Sequence, residues 1–306
     1  MRLLKKTTIP FLSIRNMTYI VSSAVILAGL ASVAFKGLSF GIDFLGGTEI
    51  IVEFDEPIPV SDIRNALTPV GLAGSEIKTY GADNDILIRT TEEGEGTLIG
   101  DRIKGALTQG FPDKSFEVLK EDKIGPKVGE ELRSDALSAI IWSLVAILGY
   151  IAIRFKFVYG MGAVLAIFHD VLVTLGIISL LNGVIPGLNL EITQEVIAAF
   201  LTLIGVSVND TVVIFDRIRE NEKIYRSMSL ESVLNKSLND TLSRTIITSG
   251  TIFIVLLVLL VLGGEVNRGF AFTLTIGILT GTYSSVYVAS AIVLDWKNRV
   301  SGKKRP

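Results

Sequence analysis

The sequence contains no cysteine and only one histidine in 306 residues. Without cysteine the chain has no disulfide framework, no thiolate zinc site and no cysteine nucleophile. A single histidine argues against a metal site built from several histidines. The sequence also lacks a G-x-x-x-x-G-K-[ST] phosphate-binding loop and a basic stripe interleaved with aromatics, which is typical of nucleic-acid binding. We therefore expect neither an enzyme nor a nucleic-acid-binding protein. Because the sequence has no nucleotide site, the energy for any conformational change must come from a partner or, if the chain spans a membrane, from the membrane potential.

Acidic residues are concentrated in one part of the chain. Residues 37–133 contain 19 Asp and Glu but 10 Lys and Arg, whereas long apolar runs alternate with short basic stretches from residue 134 onward. A bilayer core about 30 Å thick requires roughly 20 mostly apolar residues per helix, and six stretches meet this requirement. The sequence therefore predicts a membrane protein that carries one acidic, water-exposed domain.

The predicted organisation has six transmembrane helices and an external domain between the first two. Its segments are a cytoplasmic N-terminus (1–16), six helices (17–35, 134–153, 157–181, 192–215, 244–262 and 269–294), an extracytoplasmic domain (36–133), a cytoplasmic loop (216–243) and a cytoplasmic tail (295–306). The orientation follows from Lys and Arg, which mark the cytoplasmic side of a cytoplasmic (inner) membrane protein. Basic residues gather in the N-terminus, in the turn after the second helix, in the 216–243 loop with Arg244, and in the tail.

The first apolar stretch has a second interpretation. Basic residues precede it, and Ala31-Ser32-Val33-Ala34 resembles a signal-peptide cleavage site. However, the apolar run is long and these small residues lie inside it, so we expect the first helix to be retained.

Short alternating elements predict an α+β fold for the 36–133 domain. Strand patterns occur at 48–54, 76–80, 85–89 and 115–119, and helix patterns occur at 61–67 and 97–107. The order βαββαβ is that of a ferredoxin-like domain.

Ionisable side chains inside the predicted helices are candidates for function, because burying them in a membrane is expensive. Asp210 lies in the fourth helix, roughly 20 Å from its external end at 1.5 Å per residue, and Arg244 begins the fifth helix on the same side. An Asp–Arg pair that opens and closes would act as a proton switch. A permanent pair would only fix the helix register, and both interpretations stay open.

Two further patterns lie in the third and sixth helices. His169 and Asp170 are adjacent near the middle of the third helix. They form either an ion relay, since histidine titrates near neutral pH, or a structural polar pair. Gly277 and Gly281 form a G-x-x-x-G pattern, which permits close helix packing.

Three segments resemble the SecD/SecF protein-export membrane proteins. Residues 41–48, GIDFLGGT, resemble the D-x-x-G-G motif of that family. Residues 208–221, VNDTVVIFDRIREN, and residues 242–249, LSRTIITS, resemble two later signature segments. The resemblance covers essentially the whole chain and implies membership of the resistance-nodulation-division superfamily.

The resemblance also implies partners and residue roles. The partners would be SecD, the SecYEG channel, YajC and an unfolded preprotein, whose export would be assisted by a proton or sodium gradient after the ATP-driven step. The coupling ion, H⁺ or Na⁺, is then the only cofactor expected. The family's ion-coupling residues fall on Asp210 and Arg244. Asp43, Gly46 and Gly47 would form either a flexible joint, because glycine is permissive, or a tight turn.

Two other functions stay open at this point. One is an assembly subunit that stabilises the translocase and conducts no ions, since a static Asp210–Arg244 pair would have the same sequence. The other is a small-molecule exporter of the same superfamily. A single external domain of about 97 residues argues against the exporter, because such chains carry far larger external domains.

Overall fold

The structure, a computed structural model, describes residues 7–92, 98–185 and 188–302. Residues 1–6 and 303–306, which belong to the predicted cytoplasmic termini, and Thr97, the predicted start of a helix, lie outside the described residues. The helices are α1 (Arg15–Lys36), α2 (Ile42–Leu45), α3 (Val60–Leu67), α4 (Leu98–Gly110), α5 (Pro126–Arg154), α6 (Phe157–Leu181), α7 (Gln194–Ile224), α8 (Leu230–Leu262), α9 (Gly264–Ser284) and α10 (Ser290–Gly302). The strands are β1 (Gly47–Phe54), β2 (Glu76–Tyr80), β3 (Ala82–Thr90) and β4 (Phe116–Ile124).

The described residues form two compact units. One, the membrane unit, comprises the described parts of Met1–Gly37, Ile140–Leu180 and Glu195–Pro306. The other, the domain unit, comprises Leu38–Ala139 and Leu181–Gln194 as far as they are described.

Six helical segments in the described part of the chain are long and apolar enough to cross a membrane, which confirms the predicted number. They are Phe11–Lys36, Pro126–Ile151, Phe157–Leu181, Gln194–Ile224, Leu230–Leu262 and Asn267–Val300. The chain is therefore a multi-pass membrane protein.

The fourth and fifth membrane helices are longer than predicted. The segment 216–243, predicted as a loop, is helical except for residues 225–229, because α7 continues and α8 begins early. The extensions are amphipathic, and Ile218 and Leu234 are fully buried in the core of the membrane unit. Hydropathy identifies only the apolar part of such helices. Arg, Lys and Glu are good helix formers, so the helices continue beyond the apolar part.

The sixth membrane segment is not one regular α-helix. A π-helical turn, Ser285–Ala289, joins α9 to α10. The Ser290 hydroxyl donates a hydrogen bond to the Ser285 carbonyl oxygen at 3.1 Å. Single π-helical turns inside α-helices occur frequently at functional sites, and hydropathy alone does not reveal this one.

The first and third membrane helices cross at two glycines. A Cβ atom on Gly29 of α1 would lie 2.6 Å from the Cα atom of Gly176 of α6. The hydroxyls of Ser32 and Ser179, further along the same helices, are 2.8 Å apart. Only glycine at both positions allows the two backbones to approach this closely.

The predicted glycine pair of the sixth segment faces α7. A Cβ atom on Gly277 would lie 2.8 Å from Cδ1 of Leu203, and one on Gly281 would lie 3.2 Å from Cβ of Ser207. The two glycines therefore allow α9 to pack closely against α7.

The domain unit contains the predicted ferredoxin-like fold. Its four-stranded sheet has the order β2-β3-β1-β4, and all pairs are antiparallel. With α3 and α4 in their places along the chain, this confirms the predicted βαββαβ arrangement. Ile50, Val52 and Phe54 alternate along β1 and pack in one core with Ile63 of α3 and Ile103 of α4.

Candidate functional site

Asp210 of α7 is buried inside the membrane unit, with 6% of its surface exposed. Its Oδ2 atom accepts a hydrogen bond from Oγ of Ser249 on α8 at 3.0 Å. Arg244 precedes Ser249 on α8 by about 7.5 Å along the helix axis, and it is exposed. Both Asp210 and Arg244 are described by the structure, and no ion pair within 4.0 Å joins them. The predicted pair is therefore open in this conformation.

A second carboxylate, Asp170 of α6, lies deeper in the membrane unit and is 1% exposed. Its Oδ2 atom accepts hydrogen bonds from the hydroxyls of Ser207 at 2.6 Å and Ser284 at 2.8 Å. Its Oδ1 atom lies 2.9 Å from Nδ1 of His169. Burying a carboxyl group without partners is costly, and these three contacts from α6, α7 and α9 offset that cost.

A chain of hydrogen bonds continues from His169 to the first membrane helix. Nε2 of His169 lies 2.9 Å from the hydroxyl of Ser22, which lies 3.2 Å from the hydroxyl of Tyr283. The Tyr283 hydroxyl donates to the Thr18 carbonyl oxygen at 3.1 Å. The predicted polar pair of His169 and Asp170 is thus part of a network that joins four helices.

Metal binding has no counterpart in this network. Across residues 7–92, 98–185 and 188–302, no group of three or more His, Asp or Glu side chains is positioned to hold a metal ion.

The D-x-x-G-G segment forms a tight turn before the sheet. α2 ends at Leu45, and it is followed by Gly46 with a φ of +71° and Gly47 with a φ of +122°. A Cβ atom on Gly46 would lie 2.9 Å from the Cα atom of Pro126, and Gly47 is packed against the Thr90 carbonyl group. Positive φ and these close contacts both require glycine. The two glycines thus form a tight turn in this structure, and the flexible joint stays a prediction.

Asp43 of the same segment anchors the start of α7. Its Oδ2 atom accepts a hydrogen bond from the backbone N–H of Gln194, the first residue of α7, at 2.9 Å. The backbone N–H of Gly41 donates to the carbonyl oxygen of Ile192 at 2.9 Å. A carboxylate at this position satisfies a free N–H group and is stabilised by the helix dipole. The motif thus caps the helix that carries Asp210.

Two substitutions of Asp43 should distinguish how much its charge and its hydrogen bond each contribute to the stability of the first turn of α7. We expect Asp43→Ala to destabilise the first turn of α7 by about 1 kcal/mol, measured as faster hydrogen exchange of amides 194–197. Asp43→Asn keeps an acceptor oxygen and should lose only the charge contribution, about 0.3–1 kcal/mol. Asp113→Ala, at an exposed aspartate of the domain unit, is the control. Unchanged exchange in Asp43→Ala would contradict the cap.

Comparison with known proteins identifies the family. Residues 104–299 match the family described as "Protein export membrane protein SecD/SecF, C-terminal", and residues 31–58 match the family of the SecD/SecF GG motif. The protein translocase subunit SecF of Rhodothermus marinus is 47% identical over 100% of this chain and 98% of its own length. The chain belongs to the SecD/SecF family.

Other members of the SecD/SecF family match over similar lengths. The SecF subunit of Desulfurispirillum indicum is 43% identical over 95% of this chain and 92% of its own. The crystal structure of SecDF from Thermus thermophilus, a translocon-associated membrane protein, matches with a TM-score of 0.84 and 36% identity over 96% of this chain. A second SecDF structure, in the super-membrane-facing form, matches with a TM-score of 0.72 and 34% identity over 98% of this chain. This chain spans 39% and 40% of those SecDF chains.

The two SecD/SecF matches contain the candidate residues. The GG-motif match includes Asp43, Gly46 and Gly47, and the C-terminal match includes Asp210 and Arg244. The chain is accordingly a multi-pass protein-export membrane protein of the SecD/SecF family.

Sequence reasoning missed a buried cluster of charges in the domain unit. Arg89 of β3 and Glu49 of β1 face each other across the sheet, and each is 5% exposed. Nε of Arg89 lies 2.9 Å from Oε2 of Glu49, and its Nη2 lies 2.6 Å from Oε2 of Glu191. Lys78 of β2 also contacts Glu191. The cluster therefore attaches the segment that precedes α7 to the sheet.

The charges in this cluster stabilise one another. Burial raises the pKa of the Glu191 carboxyl group, but hydrogen bonds and charges from Arg89 and Lys78 outweigh burial and hold that pKa below its usual range. Strand register would have placed Arg89 opposite Glu49. No local pattern connects Glu191, about 100 residues further along the chain, with either of them.

Proposed function

We propose that the chain is the SecF-type subunit of a protein translocase and that it uses an ion gradient to assist export. In this proposal it works with SecD and the SecYEG channel, with YajC as a further associate. It helps unfolded preproteins cross the cytoplasmic membrane after the ATP-driven step. The observation that carries the proposal is Asp210, a buried carboxyl group in a membrane helix with one hydroxyl donor and with Arg244 out of contact.

The proposed orientation has both termini in the cytoplasm and the ferredoxin-like domain outside. Four basic segments on one side of the membrane support it. So does the domain unit itself, because its described residues include both the predicted external domain from residue 38 onward and the loop between the third and fourth predicted helices.

The open Asp210–Arg244 pair suggests a coupling step. An ionised carboxylate that is buried without a countercharge is costly, so burial away from Arg244 favours the protonated form of Asp210, although the hydrogen bond donated by Ser249 offsets part of that cost. Loss of the proton would favour contact with Arg244. Because Arg244 lies more than a turn from Ser249 on α8, closing this contact moves the Arg244 side chain, and in this proposal α7 and α8 shift with it.

The hydrogen-bond pattern around His169 supports a relay role. The Tyr283 hydroxyl proton is donated to the Thr18 carbonyl, so the Ser22 hydroxyl donates to Tyr283. Nε2 of His169 must then donate to Ser22. One further proton lies between Nδ1 of His169 and Oδ1 of Asp170. The pair thus holds an exchangeable proton deep inside the membrane unit.

α7 links these sites. Ser207 and Asp210 are three residues apart on α7, so they lie on one side of the helix. Ser207 donates to Asp170, and Asp210 contacts Ser249. α7 is one uninterrupted helix from Gln194 to Ile224, so a shift of this helix at Asp210 also moves Ser207.

The proposal is tested by preprotein export into inverted membrane vesicles that contain the complete translocase with this chain. We expect export to fall when the coupling gradient is collapsed while ATP is kept constant. Ionophores selective for protons or for sodium identify the coupling ion. Export that is equally fast with and without either gradient would overturn the proposal and favour the ion-inactive assembly subunit.

An asparagine at position 170 tests the relay. Asp170→Asn preserves size and acceptor capacity towards Ser207 and Ser284 but holds no titratable proton. We expect the gradient-dependent component of export to fall at least tenfold. Thr174→Val is the matched control, because Thr174 is fully buried one turn further along α6 and its hydroxyl has no hydrogen-bond partner among the described residues. Gradient-dependent export that persists in Asp170→Asn would assign a structural role to Asp170.

A further inference from the structure

A pocket of about 660 Å³ lies at the turn between α5 and α6. Five of its lining side chains are cationic and one is acidic: Arg154, Lys156, Arg219, Lys223, Arg226 and Glu222. All of them belong to the membrane unit. The volume lies within the range of small-molecule binding sites.

Two of the arginines are held in fixed positions. The guanidinium carbon of Arg154 lies 5.1 Å from the ring centre of Phe155, and that of Arg219 lies 6.0 Å from the same centre. Phe155 is itself buried. Nη1 of Arg219 also donates a hydrogen bond to the Arg154 carbonyl oxygen at 3.2 Å. Guanidinium groups ordered in this way lose little entropy when they bind a phosphate through two hydrogen bonds.

The nearby carboxylates are already engaged. Asp216 pairs with Arg154 at 2.8 Å and with Arg219 at 3.9 Å. Glu222 accepts hydrogen bonds from Tyr159 at 2.9 Å and from Lys297 at 2.5 Å. These acidic groups therefore do not neutralise the remaining cations of the pocket.

The other three cations carry the excess positive charge. Lys156, Lys223 and Arg226 are exposed. Within the described part of the chain, no carboxylate forms an ion pair with any of the three. Lys156 directly precedes α6, whose first backbone N–H groups add the positive end of a helix dipole. The pocket is thus a site for an anion that carries several acceptor oxygens.

Apolar side chains beside the pocket identify the source of the anion. Ile153, at the end of α5, is 91% exposed, and Phe157, at the start of α6, is 69% exposed. Trp296 stacks edge-on against Phe157, with ring centres 6.1 Å apart. Tryptophan is enriched where membrane helices meet the headgroup layer. A phospholipid satisfies both features, because its phosphate meets the cations while its acyl chains lie along the apolar residues.

We propose that this pocket binds the phosphate-bearing headgroup of an anionic phospholipid. Basic pockets at the cytoplasmic ends of membrane helices bind such headgroups in general. Lys156, Lys223 and Arg226, which form no ion pair with a carboxylate of the described residues, attract the phosphate, and the N–H groups of Arg154 and Arg219 that Asp216 leaves free donate to it. The bound lipid screens these cations at the turn between α5 and α6.

The test measures lipid retention by the full chain in detergent, with native mass spectrometry and equal amounts of phosphatidylglycerol or phosphatidylcholine. We expect preferential retention of phosphatidylglycerol. The double variant Lys156→Gln/Lys223→Gln should weaken it at least tenfold, since each surface cation contributes about 1 kcal/mol. The control is Lys236→Gln/Arg299→Gln, which removes the same charge from helical positions that do not line the pocket and should retain phosphatidylglycerol like the unaltered chain.

Two results would overturn the proposal. Equal loss in the pocket variant and in the control variant would show that overall charge, and not the pocket, attracts the lipid. Displacement of phosphatidylglycerol by inorganic phosphate at low millimolar concentration would show that the pocket takes a soluble anion. Circular dichroism of each variant verifies that the helices remain folded.

Discussion

Asp210→Asn is expected to abolish the part of protein export that an ion gradient drives while leaving the assembled complex intact. Asparagine has nearly the same shape and keeps an oxygen that accepts the hydrogen bond from Ser249. It cannot release a proton or attract Arg244 as a carboxylate does, so the alternation between the two contacts is lost. Export rates in vesicles with and without a gradient, normalised to complex yield, measure the effect.

Asp216→Asn is the matched control for this substitution. It makes the same chemical change on the same helix, at a half-exposed residue that pairs with Arg154. An exposed ion pair contributes less than about 1 kcal/mol, so gradient-dependent export should persist. If Asp210→Asn also kept full gradient dependence, the Asp210–Arg244 pair would be structural and the ion path would lie elsewhere.

The membrane architecture was largely predictable, because long apolar runs have few alternatives to spanning helices. Hydropathy located all six segments but not where the helices end. The 216–243 stretch contains charged residues, which lower its hydropathy without opposing helix formation. Only the packing of residues such as Ile218 and Leu234 in the core shows that α7 and α8 continue through it.

The candidate site was predictable in part. An ionisable residue inside an apolar run, such as Asp210 or Asp170, can be recognised from the sequence alone. The hydrogen-bond donors of these carboxylates cannot be recognised in this way, because serine is common in membrane helices. Only helix packing brings the hydroxyls to the carboxylates, as it does for Ser207, Ser284 and Ser249. The π-helical turn next to Ser284 likewise has no counterpart in the hydropathy pattern.

Arg89→Met is expected to destabilise the domain unit by about 3–5 kcal/mol, the usual cost of leaving a buried charge without its partner. The substitution would leave the carboxylates of Glu49 and Glu191 buried next to an apolar side chain. Hydrogen exchange of the β1 and β3 amides in the full chain measures the free energy of opening. Lys114→Met, at an exposed pair with Glu56, should change it by less than about 1 kcal/mol.

The stability contributions of Arg89 and Glu191 should also depend on each other and on pH. Arg89→Met combined with Glu191→Met should cost less free energy of unfolding than the sum of the two single variants, because the double variant removes both charges.

The pKa of Glu191 is lower in the folded chain than the unfolded value of about 4.3. Its stabilisation is therefore fully present above that pH and is lost as the pH falls through the folded value. Glu191→Gln should reduce this loss. Two results would contradict this account: free-energy changes of the single variants that simply add in the double variant, or an unchanged pH profile in Glu191→Gln. Either would show that Arg89, Glu49 and Glu191 act independently and do not hold the segment that precedes α7 to the sheet.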